Sequence, residues 1–176
     1  MLTTRPSKRD KVGLFNTDLM YDLMDGEKPV GTLTYEKKHR RATIVVGGNS
    51  YTVERLSDRP DEQNYQALLR VASGGEKPPV NPLLLKGADG QMLAQAEPVK
   101  NDFVVTRGGE SFSFRKVSRP YQLFRQGSDQ SLGSVGQAKF FTTTLHIDLP
   151  AELDPPFQVF LLALLVDKTI QSLDDS

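Results

Sequence analysis

Two hydrophobic patterns divide this chain. Most of the sequence alternates apolar and polar residues over segments of about four to eight positions, between turn residues such as Gly, Asn and Asp, which is typical of half-buried β-strands. Near the end, by contrast, every residue from 159 to 166 is apolar, and most of them favour helices. A helix that is apolar nearly all round is enclosed by protein or by lipid.

The residues around this apolar run predict where the helix begins and ends. Asp154 is a good N-cap residue, and Pro155 and Pro156 are tolerated in a first helical turn, where the missing N–H groups have no intrahelical partner. The helical pattern continues to about Leu173. We therefore predict a helix over about 156–173.

A membrane-spanning helix is the alternative interpretation of the same run. A span needs about 20 predominantly apolar residues. Here Gln158 precedes the run and Asp167 and Lys168 follow it directly, so the apolar stretch is too short. The pattern favours a buried core helix over a membrane anchor.

The alternating segments predict about twelve strands. They cover residues 19–24, 30–35, 42–46, 50–55, 65–71, 82–86, 91–98, 103–107, 111–116, 121–126, 131–135 and 142–149. A closed barrel of about twelve strands is wider than the eight-stranded kind that side chains alone can fill. A helix about 10–12 Å across would fill that interior. We predict a mainly β fold, a closed antiparallel barrel around the buried C-terminal helix, as one domain over 11–176 preceded by a flexible N-terminal arm over 1–10.

Part of the strand region repeats. Residues 47–55 resemble residues 108–116, and both segments begin with Gly-Gly and continue with a Ser–aromatic–hydroxyl–apolar pattern. A strand–turn–strand unit precedes each copy and contains residues 23–26 in the first and 84–87 in the second. Residues 124–127 resemble these two segments and indicate a third related unit. Repetition of this kind indicates one architectural unit used more than once.

Composition excludes several classes of function. The formal net charge is zero, so we expect no nucleic-acid partner. The chain has no Cys, which excludes a disulfide framework, a thiolate nucleophile and a Cys-bound zinc. The absence of Cys, and of an apolar segment after the basic residues of 1–10, favours a cytoplasmic location. No cofactor-binding motif or metal-ligand pattern is present, so we expect neither group.

Catalytic patterns are weak. The segment 132–136 resembles a nucleophile elbow, but Leu132 replaces its first Gly and no strand–turn–helix pattern surrounds it. Thr144, His146 and Asp148 share one face of a predicted strand, which alternation explains as a solvent-facing row. We therefore predict that the protein is not an enzyme.

The strongest local charge is a basic loop between two predicted strands. It consists of Lys37, Lys38, His39, Arg40 and Arg41. Such a cluster can attract phosphate groups at an anionic lipid surface, by about 1 kcal/mol per Lys or Arg. It can equally be a solvated loop that discourages strand pairing at a sheet edge.

Together, several motifs resemble the tubby C-terminal-like superfamily, which includes tubby domains, phospholipid scramblases and LURP-one-related proteins. The motifs are residues 121–125 with 132–135, the approach 148–150 to the apolar helix, and the repeated Gly-Gly hairpin. The resemblance implies a roughly twelve-stranded barrel around a hydrophobic helix. It also implies binding of phosphoinositide head groups, as in tubby domains, or lipid translocation, as in scramblases. The chain departs from the scramblase pattern, because it lacks both the Asp-x-Asp segment before the helix and any Cys.

The expected function is therefore a non-enzymatic binding module for an anionic phospholipid head group or another phosphorylated ligand. The expected ligand-binding residues are Lys37, Lys38, His39, Arg40 and Arg41. The expected location is the cytoplasm, with peripheral association at a membrane. Lipid translocation and a scaffold that binds a protein partner remain the alternatives.

Overall fold

The structure is a computed structural model that describes residues 1–7, 18–56, 81–117, 120–137 and 144–174. Twelve strands and one helix lie in these residues. They are β1 (Leu2–Pro6), β2 (Leu19–Asp25), β3 (Lys28–Glu36), β4 (Arg41–Val46), β5 (Asn49–Arg55), β6 (Leu83–Lys86), β7 (Met92–Val99), β8 (Asp102–Arg107), β9 (Glu110–Lys116), β10 (Tyr121–Arg125), β11 (Ser131–Gln137), β12 (Leu145–Asp148) and the central helix (Pro155–Asp174). The predicted strand at 65–71 lies outside the described residues.

The twelve strands form a closed antiparallel barrel. Each strand from β1 to β12 is hydrogen-bonded to the next one along the chain, and β1 also pairs with β12 to close the ring. The predicted fold class is confirmed, including the number of strands and the C-terminal helix.

The prediction of a flexible arm over residues 1–10 is wrong for residues 2–6, because Leu2–Pro6 is the strand that closes the barrel. Thr4 is fully buried, and its Oγ1 accepts a hydrogen bond of 3.1 Å from the Leu145 amide on β12. A five-residue segment is too short to display a clear alternating pattern beside the basic residues that follow it. Residues 8–10 lie outside the described residues.

The barrel is built from three copies of a four-stranded unit. Each copy begins with a hairpin, namely β2–β3, β6–β7 or β10–β11, whose register shifts directly after a buried Leu of the first strand. Each of these leucines pairs with a small residue on the second strand of the hairpin. The pairs are Leu23 with Gly31, Leu85 with Ala94, and Leu123 with Gly133. The third unit takes its fourth strand from β1, which explains why the N-terminal segment is needed to close the ring.

The repeated Gly-Gly segments are two-residue hairpin turns at equivalent places in the first two units, β4–β5 and β8–β9. Gly47 and Gly48 have φ angles of 59° and 80°, and Gly108 and Gly109 have angles of 54° and 82°. Two successive left-handed residues match the twist of a hairpin, and glycine adopts this conformation without steric strain. The repeat found in the sequence is therefore a repeat of structure.

The central helix fills the barrel, as predicted. From Phe157 to Leu164 every side chain is buried, and they pack with the inward-facing apolar residues of the strands in one core. Contacts of the helix reach strands on several sides, including the ring of Phe112 on β9, whose centroid lies 5.7 Å from that of Phe157. No helix within the described part of the chain has the length and hydropathy of a membrane span.

The helix begins at Pro155, and Asp154 occupies the N-cap position before it, but the Asp154 carboxylate does not cap the helix. The Asp154 carbonyl accepts hydrogen bonds from the amides of Phe157 and Gln158, which makes Asp154 the first residue of the hydrogen-bonded ladder. Its carboxylate instead forms an ion pair with Arg107, at the end of β8. The guanidinium of Arg107 also lies 4.9 Å from the centre of the Phe157 ring, so Arg107 covers the start of the helix.

The two ends of the barrel differ in their connections. The Gly-Gly turns lie at the end where the central helix begins. The other end, called the mouth below, is where the helix ends and where β1–β2, β3–β4, β5–β6, β7–β8, β9–β10 and β11–β12 are connected. The strands that flank the two longest connections, 7–18 and 56–82, have their joined ends at the mouth.

Gly31→Ala should lower the free energy of unfolding by about 1–3 kcal/mol, the range for overpacking a well-filled site. A Cβ at Gly31 would overlap the Val45 carbonyl oxygen, and a Cβ at Gly133 would overlap the Asp148 carbonyl oxygen in the same way. Denaturant unfolding measures the effect. Ala94→Gly, at the equivalent position of the second unit, is the matched control and should cost no more than about 1 kcal/mol. Equal losses in Gly31→Ala and Ala94→Gly would contradict this account.

Candidate functional site at the barrel mouth

The basic loop of the sequence lies at the mouth, on the tight β3–β4 connection. Lys37, Lys38 and His39 are exposed, while Arg40 is half-buried. Arg40 has a left-handed backbone with φ of 47°, and its amide donates to the Lys37 carbonyl at 3.4 Å. Strands β3 and β4 hold both ends of the turn, so the structure brings all five predicted residues together on a supported hairpin.

The five basic side chains do not have equivalent surroundings. Arg41 donates from Nη2 to both carboxylate oxygens of Glu36, at 3.2 Å each, so its charge is partly compensated. Arg40 lies close enough to the hydroxyl of Tyr35 for its charge to lower the pKa of that group. The turn therefore presents Lys37, Lys38 and His39 outwards, while Arg40 is half-buried near the Tyr35 hydroxyl.

Beneath the basic turn lies a buried polar cluster formed by Tyr35, Arg55 and Asp167, here called the anchor. Asp167 projects from the central helix and is 1% exposed. Its Oδ1 accepts a hydrogen bond of 2.5 Å from the Tyr35 hydroxyl, and its Oδ2 forms an ion pair with Arg55 Nη2. Gln171, one turn further along the helix, donates to Oδ2 at 3.2 Å. The anchor joins the helix to strands β3 and β5.

The electrostatics of the anchor keep Tyr35 a hydrogen-bond donor. Burial raises the pKa of Tyr35 well above its usual range, the hydrogen bond to Asp167 and the charge of that carboxylate raise it further, and the charges of Arg55 and Arg40 oppose this. The phenol therefore stays protonated at any physiological pH. The Asp167 carboxylate then accepts from Tyr35 and faces the Arg55 charge, which compensates its loss of hydration.

The anchor also explains how an apolar helix takes one position in the barrel. A helix that is apolar nearly all round has little preference for rotation or depth, because any face can contact an apolar wall. Asp167 is paired with Arg55 and Tyr35, and a rotation or shift of the helix would break both contacts. A buried polar group that specifies register is the best-supported role of such pairs.

Sequence reasoning missed the anchor. Asp167 was interpreted only as the end of the apolar run, although Val166 and Ile170 beside it are buried. An acidic residue inside a stretch that stays apolar on both sides requires a buried partner, and this was the available signal. The partners themselves are 112 and 132 residues away, which no local pattern can reveal.

Three lysines lie on the opposite side of the mouth. Lys168 projects from the helix, and its Nζ donates to the Lys100 carbonyl at 3.1 Å. Burial lowers the pKa of Lys168, the carboxylate of Asp102 opposes this, and the charge of Lys116 lowers the pKa further. Positive charge is therefore concentrated on both sides of the mouth, although the whole chain is neutral.

The weak catalytic patterns fall on ordinary strand positions. Ser134 lies within β11, paired with Gln122 and Asp148, rather than on a strand-to-helix turn. His146 alternates with the inward-facing Leu145 and Ile147 on β12, as the solvent-facing interpretation predicted. In the residues that the structure describes, no group of three or more His, Asp or Glu side chains is placed to hold a metal ion.

The fold and the mouth define a closed twelve-stranded barrel with a helix through its centre and a basic turn at one rim. The chain matches no protein-family model, no curated protein and no solved structure in the three comparisons.

Proposed function

We propose that this protein is a binding module for an anionic, phosphorylated ligand with the chemistry of a phosphoinositide head group. Lys37, Lys38 and His39 are its main contacts. The observation that carries the proposal is the placement of these three exposed side chains at the tip of one supported hairpin turn. Each Lys near a phosphorylated surface contributes about 1 kcal/mol of attraction.

The supported turn also reduces the entropy lost on binding. The β3–β4 ladder extends to the pair Glu36 and Arg41, directly beside the turn. The ion pair between those two residues reinforces this final step of the ladder. A preorganised donor set loses less conformational freedom when a ligand binds, so more of the electrostatic attraction remains as affinity.

The architecture supports the same proposal. A twelve-stranded barrel around a hydrophobic helix is the fold implied by the resemblance to the tubby C-terminal-like superfamily, and tubby domains bind phosphoinositide head groups through basic residues. Lipid translocation, the alternative from scramblases, requires residues 159–166 to leave the barrel for a bilayer. We favour binding, because the helix is enclosed and its Asp167 is paired with Arg55.

The double variant Lys37→Ala/Lys38→Ala should lower affinity for vesicles that contain phosphatidylinositol bisphosphate by about thirtyfold, from about 1 kcal/mol for each lost charge. Co-sedimentation with these vesicles, and with vesicles of phosphatidylcholine alone, measures the effect. Lys28→Ala/Arg125→Ala is the matched control, because both residues are exposed at the other end of the barrel. The control should bind as tightly as the unchanged protein.

A second arm of the experiment uses soluble inositol trisphosphate, which separates a free phosphorylated ligand from a lipid head group. Equal sedimentation of the unchanged protein with both kinds of vesicle, and no binding of the soluble ligand, would contradict the proposal. Such a result would favour the scaffold that binds a protein partner. Equal losses in the two double variants would show that total charge, not the turn, controls binding.

A further inference from the structure

Two neighbouring turns at the mouth each expose a Val beside a Lys. Val99 and Lys100 end β7 and begin its connection to β8, and Lys116 and Val117 end β9 and begin its connection to β10. Val99 is 49% exposed and Val117 is 40% exposed. Branched apolar side chains at turn tips, each next to a cation, form an amphipathic edge.

Hydrogen bonds fix these two turns to each other and to the barrel. The Lys116 amide donates to Asp102 Oδ1 at 3.0 Å, which joins the end of β9 to the start of β8. The Tyr121 hydroxyl donates to the Asn101 carbonyl at 2.8 Å, which joins β10 to the same turn. The exposed valines are therefore held in place by the surrounding backbone.

Positive charge surrounds the valines. Lys100 and Lys116 are exposed next to them, and Lys168 reaches the Lys100 carbonyl from the helix and lies 5.4 Å from the centre of the Phe103 ring. Asp102 supplies negative charge here, but its Oδ1 already accepts the Lys116 amide. This edge is therefore suited to an anionic partner that also accepts apolar side chains.

The Val–Lys turns and the basic β3–β4 turn lie on roughly opposite sides of the same end of the barrel. Two strands separate β4 from β7, which ends at Val99, in one direction round the ring, and five separate β9 from β3 in the other. A bilayer presents phosphate groups over an area wider than the end of the barrel, so the described residues of both edges can take part in one contact. A small soluble ligand has no such reach.

We propose that the mouth docks face-on onto an anionic lipid bilayer, with Val99 and Val117 inserted between the head groups against the upper part of the acyl chains and Lys100 and Lys116 at the level of the phosphates. The inference rests on the proposed function, and it adds a second contact and assigns the ligand to a membrane. Apolar side chains that enter the interface beside Lys residues are the combination that binds peripheral proteins to anionic membranes.

The double variant Val99→Ser/Val117→Ser tests this docking. Affinity for vesicles with phosphatidylinositol bisphosphate should fall by roughly tenfold, since two inserted apolar side chains are lost. Affinity for soluble inositol trisphosphate should not change. Val45→Ser/Val104→Ser is the matched control, because these valines are 38% and 37% exposed on β4 and β8, away from the mouth. The control should keep full vesicle affinity.

The chain has no native Cys, so a dye attached to a single introduced cysteine gives a second test. This test detects insertion directly in the bound protein and does not depend on a variant that binds less tightly. Val99→Cys and Val117→Cys, each labelled with an environment-sensitive dye, should show a blue shift on anionic vesicles. Val45→Cys labelled in the same way should show none.

The outcomes separate the two proposals. Unchanged vesicle affinity in Val99→Ser/Val117→Ser, together with a loss in Lys37→Ala/Lys38→Ala, overturns face-on docking and leaves head-group binding in place. A parallel loss of the soluble ligand in the valine variant also overturns the insertion of these residues. An absence of vesicle binding by the unchanged protein overturns docking on a bilayer, and it overturns head-group binding as well if soluble inositol trisphosphate does not bind either.

Discussion

Asp167→Ala should lower the free energy of unfolding by about 3–5 kcal/mol, the loss measured when one partner of a buried ion pair is removed. The substitution leaves the Arg55 guanidinium buried without its counter-charge and the Tyr35 hydroxyl without its acceptor. Most of the expected loss comes from the unpaired charge that stays buried. Urea unfolding, followed by circular dichroism, measures the change.

The controls for this substitution distinguish a buried pair from charge in general. Glu36→Ala removes a carboxylate from the more exposed ion pair with Arg41 and should lose no more than about 1 kcal/mol. The triple variant Asp167→Leu/Arg55→Met/Tyr35→Phe removes every member of the anchor, and it should recover most of the stability lost in Asp167→Ala. A loss below about 1 kcal/mol in Asp167→Ala would show that the anchor does not hold the helix.

Truncation before Pro155 should abolish the cooperative unfolding of the barrel. The deletion removes eight large apolar side chains that are 7% exposed or less, between Phe157 and Ile170. At about 1.5–3 kcal/mol each, their burial contributes on the order of 12–24 kcal/mol, which is as large as or larger than the usual stability of a domain, about 5–15 kcal/mol. The remaining strands would surround an unfilled apolar interior.

The truncated chain should aggregate or form an expanded state that binds a hydrophobic dye and lacks a sharp thermal transition. A chain that stops after Asp174 keeps the whole central helix and is the matched control. It should melt cooperatively. A soluble truncated chain with a cooperative transition would mean that the strands can fold without the helix.

The sequence was sufficient to predict most of this fold because its strongest patterns are local. The apolar run from 159 to 166 predicts an enclosed helix, and the helix ends lie within a residue of those predicted. The Gly-Gly turns indicate hairpins because left-handed glycine pairs have few other uses. The strand Leu2–Pro6 was not predictable in this way, because its place depends on partners at opposite ends of the chain.

For the candidate site, the sequence could predict only which basic residues lie in the loop. A run of five basic residues can be read from the sequence, but the burial and the partners of each side chain cannot. The half-burial of Arg40 near Tyr35 and the pairing of Arg41 with Glu36 depend on the geometry of the turn. The anchor and the Val–Lys edge depend on contacts between distant strands, so neither leaves a local pattern.

The anchor lies directly beside the basic turn. Tyr35 is the last inward-facing residue of β3 before the basic turn, and its hydroxyl bonds to the central helix. The strand that leads into the basic turn is therefore also a strand that holds the helix.

Hydrogen exchange of the lipid-free protein is the most direct test of the central claim that the barrel is built around the helix. The amides of residues 159–166 should be among the slowest to exchange, at rates that correspond to the global free energy of unfolding. Asp167→Ala should raise their exchange rates by the same factor by which it raises the equilibrium constant of unfolding. Fast exchange in this segment, while the amides of strands β3 to β9 remain protected, would contradict an enclosed helix.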